Sequence, residues 1–136
     1  GQLHDRHIPF IENEDYSLVV YLAYDSSEDK SRLGIDKLIR GTGARYVQLP
    51  VDWFQPTAED FNHFVGAVGA NNERNILVHC QMNYRASAFS FLYRVIQGDE
   101  DFEKAKKDML SVWTPDNTWT SFINEVLMLS GATERI

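Results

Sequence analysis

The sequence predicts an α/β domain built on a central, mostly parallel sheet flanked by helices. Short runs rich in β-branched and aromatic residues occur at 16–24, 46–51 and 75–79. Segments with helical spacing of apolar residues follow them, and Gly or Pro marks most of the joins. Strands alternating with helices bury both faces of a parallel sheet, and such sheets bind ligands at the carboxyl ends of their strands. At 136 residues the chain is expected to form a single domain with a sizeable core.

Residues 1–15 are polar and read as an irregular N-terminal arm. His4 and His7 lie three apart with Asp5 between them, but no further ligand cluster follows, so no metal site is expected. Tyr16 to Tyr24 reads as a buried strand. Asp25-Ser26-Ser27 breaks it, with Ser27 as a helix cap. Leu33, Ile35, Leu38 and Ile39 give a helical face that ends at Gly41-Thr42-Gly43.

Tyr46 to Val51 is the second strand, limited by Pro50. Thr57 and Asp60 form a capping box, and Phe61, Phe64, Val65 and Val68 repeat at helical spacing until Gly69 to Asn72. Asn75 to His79 is the third strand. A helix from about Arg85 to Ile96 carries Ala88, Phe89, Leu92, Val95 and Ile96 on its apolar side, and Gly98 closes it. Phe102, Ala105, Met109 and Val112 mark another helix. A last one starts with Thr114 as cap and Pro115 at the first helical position, and buries Trp119, Phe122, Ile123, Val126 and Leu127.

The formal charge of −7 argues against a nucleic-acid partner held by a broad basic surface. An anionic ligand therefore needs local positive potential. No apolar run approaches the ~20 residues that span a membrane, so no membrane partner is expected. A single cysteine excludes an internal disulfide. The chain opens on Gly1 with no readable secretory leader; a soluble protein is expected, cytoplasmic or, if a leader was removed, periplasmic.

The chemistry centres on residues 76–87. An apolar strand ends in His79 and Cys80, Gln81-Met82-Asn83-Tyr84 form a short polar loop, and Arg85 opens a helix with Ala86 and Ser87. A thiol attacks as its thiolate, which needs positive surroundings. Backbone N–H groups of a strand-to-helix loop and the positive end of the helix supply them, and the same groups hold the oxygens of a phosphate or sulfate anion. Arg85 adds a fixed charge that grips two oxygens at once. Cys80 and Arg85 are thus the candidate catalytic pair, with residues 81–84, Ala86 and Ser87 as the anion cradle. His79 neighbours Cys80 on a strand and points to the opposite face, so it is expected to orient the loop and not to act as a base. Asn83 is the loop residue best suited to a left-handed conformation.

Residues 76–87 resemble the phosphate loop of cysteine-dependent protein phosphatases, which carry His-Cys, five residues and Arg. Here four residues intervene, none is glycine, and Ala86 follows the arginine. The shorter spacing is similar to a bacterial phosphatase-like family first catalogued as domain of unknown function 442 (DUF442), and to the related domain fused to beta-lactamase-like hydrolases. The likeness extends over about residues 15–97 through the strand at 18–24, the strand at 46–50 with its Pro50-Val51-Asp52, and the helix start at Pro56 to Phe61. It implies a dual-specificity-phosphatase-like fold, a phosphocysteine intermediate, a phosphorylated substrate and no cofactor. Ser87, one residue later than usual, is the candidate to help the thiolate leave.

A phosphatase also needs an acid for the leaving oxygen. Asp52 is the first candidate, because it follows a strand and Trp53 and Phe54 are placed to wall it from water. In the resembled family the acid also sits on the loop after this strand. Asp116 is the rival, in a Trp113-Thr114-Pro115-Asp116 run similar to the Trp-Pro-Asp loop of tyrosine phosphatases, although helix capping accounts for the same residues. Two other functions fit the loop: a rhodanese-like sulfurtransferase, which needs no general acid, and a catalytically weak phospho-ligand binder.

Overall fold

In the computed structural model of the protein, which describes residues 1–24, 33–70 and 75–136, three parallel strands form one sheet of order β2-β1-β3. They are β1 (Tyr16–Tyr21), β2 (Arg45–Gln48) and β3 (Asn75–His79). The helices are α1 (Ile8–Asn13), α2 (Ile35–Gly41), α3 (Ala58–Gly69), α4 (Tyr84–Ile96), α5 (Phe102–Val112) and α6 (Asn117–Leu129).

The alternation along β1 sorts the core. Leu18 and Val20 face the larger cluster with α3 to α6, while Val19 joins Ile11, Ile35, Ile39 and Ala44 on the side of α1 and α2. All three β1 residues are fully buried, as a central parallel strand covered on both faces must be. Each such side chain contributes about 1.5–3 kcal/mol of burial free energy.

The mainly parallel sheet flanked by helices is as expected, and every strand described is parallel. Four local expectations are corrected. Residues 5–13 are not an irregular arm: a 3-10 turn at Asp5–His7 leads into α1, because Ile11 finds a buried seat beside Val19. In α2 only Ile35 and Ile39 are buried, and Leu33 and Leu38 are exposed, so its apolar face is narrower than the periodicity suggested. The strand at 16–24 ends its regular pairing at Tyr21. The last helix is capped by Asp116, not Thr114: the Asp116 carboxylate accepts the Trp119 N–H at 2.9 Å, which places Pro115 before the helix. Ser27 and the break at 25–27, and Asn71 and Asn72, lie outside the described residues.

Elsewhere the local signals hold. Thr57 and Asp60 form a reciprocal capping box at the start of α3. Gly98 closes α4 where a Cβ would stand 2.8 Å from the Arg94 carbonyl oxygen, too close for any other residue without a shift.

Beyond the regular strands the chain still runs in register. Leu22 N–H donates to His79 O, Leu49 N–H to Tyr21 O, and Val51 N–H to Leu22 O. Pro50 has no N–H, and it falls between the two donors, where none is needed. This extension carries Asp52 along one side of the β1 terminus and Cys80 along the other.

Candidate active site

Cys80, Arg85 and Asp52 line one open cavity of about 490 Å³ at the carboxyl end of the sheet. Tyr24, Trp53, Phe54, Gln81, Met82 and Tyr84 complete the lining. Cys80 is 1% exposed, and it lies at the wall of this cavity.

The loop turns without glycine. Asn83 has φ 65° and ψ 7°, the left-handed conformation, and its carbonyl accepts the Ser87 N–H at 2.8 Å to begin α4. Asparagine tolerates this region better than most residues with a Cβ. Tyr84 is the first helical residue, one before the expected start. The turn brings Arg85 back over the loop within the first turn of α4, while Ala86, Ala88 and Phe89 anchor that helix in the core.

Arg85 is buried and its guanidinium is held on three sides. One terminal nitrogen donates to the Val51 carbonyl at 2.9 Å and the other to Gln81 Oε1 at 3.2 Å. The guanidinium carbon stands 5.8 Å from the Trp53 ring centroid, within cation–π range. The hydrogen bond to Val51 joins the cysteine loop to the segment that delivers Asp52.

Asp52 reaches the cavity but is not walled off. It is exposed, Phe54 beside it is 85% exposed, and Asp52 Oδ1 accepts the Phe54 N–H at 2.8 Å in a local turn. Phe54 stands at the rim of the cavity, open to solvent, and so leaves the carboxylate in contact with water. Asp116 is not among the lining residues; its carboxylate is occupied at the N-terminus of α6.

Gln81, Met82 and Tyr84 line the cavity, whereas Asn83, Ala86 and Ser87 do not. Ala86 is a core residue. The Ser87 hydroxyl donates to the Tyr84 carbonyl at 2.8 Å, and Ser87 lines a separate cavity with Ser90 and Arg94. The expectation that Ser87 serves the thiolate is therefore corrected: the first turn of the helix carries it to another face of α4. His79 is 2% exposed, stacks on Tyr21 at 4.6 Å between centroids, and has Nδ1 3.3 Å from the Gly1 carbonyl oxygen. It faces away from the cavity, as strand alternation requires.

Three contributors leave no signal in the sequence. The Val51 carbonyl, the Trp53 ring beneath Arg85 and the rim residue Tyr24 all join the site through tertiary contacts. Trp53, expected to wall the Asp52 carboxylate from water, instead presents its ring to the Arg85 guanidinium. Among the described residues no group of three or more His, Cys, Asp or Glu is arranged to hold a metal ion, and no helix is long and apolar enough to cross a membrane.

Neither a protein-family model nor a curated protein matches this chain. Solved structures do. A candidate phosphatase of the DUF442 group from Shewanella putrefaciens CN-32 is 31% identical; the match covers 95% of this chain and 82% of that one, with a TM-score of 0.79. PTPMT1 is 15% identical, covered to 96% and 88%, with a TM-score of 0.78. A cysteine-to-serine form of Pseudomonas aeruginosa TpbA in complex with phosphotyrosine is 14% identical, covered to 98% and 77%, with a TM-score of 0.71. The last two are likenesses of fold.

Proposed function

This chain belongs to the DUF442 family and has a tyrosine-phosphatase-like fold, and from that footing we propose that it is a cysteine-dependent phosphatase acting on a phosphomonoester. The observation that carries the reading is the convergence of Cys80, Arg85 and Asp52 on one cavity.

The Cys80 thiolate attacks phosphorus, forming an S–P bond as the P–O bond to the leaving group breaks. Arg85 and the loop amides hold the phosphoryl oxygens while charge redistributes over them. Asp52 gives its proton to the leaving oxygen. Its carboxylate then takes a proton from water, the water oxygen bonds to phosphorus, and the S–P bond breaks to restore the thiolate. No cofactor enters these steps.

The similar TpbA structure holds phosphotyrosine, which makes an aryl phosphate the first substrate to try. Phosphoserine, phosphothreonine and small phosphoesters are the other candidates. A carboxylate in the lining supports a phosphatase over a sulfurtransferase, because sulfur transfer has no use for it. A specific observation favours a slower variant of the same reading: with the Ser87 hydroxyl committed to Tyr84, departure of the thiolate lacks a hydroxyl donor from that residue. Phosphate binding then outlasts turnover, and the protein grades toward a phospho-ligand binder.

Hydrolysis of an aryl phosphate by the wild type and by Cys80→Ser between pH 5 and 8 tests the proposal. Turnover by the wild type and none by the variant is expected. No turnover by either at any pH in that range overturns it.

A further inference from the structure

An aromatic cluster that the steps above do not use runs from the cavity wall into the core. The Trp53 ring is 5.4 Å from Trp119, 5.5 Å from Trp113 and 6.2 Å from Tyr84, measured between centroids. Tyr84, in the first turn after the cysteine loop, stacks on Trp113 at 4.7 Å with 6° between planes. Trp119 is fully buried in the first turn of α6, and its Nε1–H donates to the Trp53 carbonyl at 2.9 Å.

That hydrogen bond is specific. A fully buried indole N–H needs a partner, and this one finds the backbone carbonyl next to Asp52, 66 positions away in sequence. The same Trp53 supplies the face over which the Arg85 guanidinium stands. The turn it belongs to is closed by Gln55 N–H to Asp52 O and by Phe54 N–H to Asp52 Oδ1. Fixing the Trp53 backbone therefore fixes both the Asp52 turn and the platform under Arg85.

We propose that Trp119 is a positioning residue for this site, holding Trp53 so that Arg85 and Asp52 face one bound phosphoryl group together. The proposal rests on the phosphatase reading for what the geometry is used for. It assigns to α6, which contributes no side chain to the cavity lining, control over the placement of two groups that do. Small misplacements matter here: an error of about 1 Å far from the reacting atoms costs on the order of 100-fold in rate.

The test compares Trp119→Phe, which keeps a ring but removes the donor, with Phe122→Leu. Phe122 is buried in the same helix and packs on Trp119 and Phe89, so its truncation loosens the same core while donor and acceptor of the hydrogen bond to Trp53 are both retained. Both are measured for inorganic phosphate affinity and for the pH profile of aryl phosphate hydrolysis. Trp119→Phe is expected to weaken phosphate binding about tenfold, lower kcat by on the order of 10- to 100-fold and alter the limb of the profile set by the general acid. Phe122→Leu is expected to lower Tm while both readouts stay near wild type. Equal phosphate affinity in the wild type and Trp119→Phe, or the same losses in Phe122→Leu, overturns the proposal. A wild type that binds phosphate but hydrolyses nothing ends the phosphatase reading alone, and the affinity comparison still decides the role of Trp119.

Discussion

Arg85 donates a hydrogen bond to the Val51 carbonyl at 2.9 Å. It thereby ties the first turn of α4 to the chain immediately before Asp52. The bond is buried, and it joins the arginine proposed to hold the anion to the segment that delivers the proposed acid.

Arg85→Lys keeps the charge and loses the fork. Lysine cannot serve Val51 and two phosphoryl oxygens at once. Phosphate ester turnover is expected to fall on the order of 100- to 1000-fold, the size of one lost donor at developing charge. The unpaired Val51 carbonyl lowers stability by about 1–3 kcal/mol. Steady-state kinetics and urea denaturation check the two effects separately.

Asp52→Asn retains an oxygen to accept the Phe54 N–H, so the turn is preserved while the transferable proton is lost. Hydrolysis of a substrate with a poor leaving group should drop on the order of 100- to 10,000-fold. A substrate with a very good leaving group should lose far less, because its oxygen departs without a proton. Equal losses for both substrates count against Asp52 as the acid.

Asp116→Ala separates the two acidic candidates. Its carboxylate caps α6, and losing the cap costs about 1 kcal/mol of stability. Thermal denaturation should show a lowered Tm, and kcat should show nothing like the loss from Asp52→Asn.

The left-handed Asn83 can be read through a pair of substitutions. Asn83→Ala and Asn83→Gly discard the same side-chain amide, so their difference reports the backbone. Glycine is at ease at φ 65°, whereas alanine is strained there by about 1–2 kcal/mol. The alanine variant should melt lower than the glycine variant, and no difference would mean that the loop relaxes to another conformation.

What was legible in the sequence was local. The strand at 75–79, the capping box at Thr57 and Asp60, and the left-handed Asn83 each follow from residues within a few positions of one another. The placement of Asp52 near Cys80 followed from a general property of parallel sheets, that strand carboxyl ends share a crevice. The contacts that refine the site were not legible. Arg85 to Val51 spans 34 positions and Trp119 to Trp53 spans 66, and no spacing rule links residues so far apart. Ser87 lies away from the cavity for a geometric reason. In a helix one residue further on is a rotation of about 100°, enough to carry its hydroxyl from the cavity side to another face.

The central claim is that Cys80 carries the phosphoryl group, and trapping that species tests it most directly. Wild-type protein mixed with excess aryl phosphate, quenched in acid within the first turnover and digested, should yield the Cys80 peptide heavier by one phosphoryl group. Cys80→Ser under the same conditions should not accumulate a species that turns over. Product release by the wild type with an unmodified Cys80 peptide at every quench time would contradict the account.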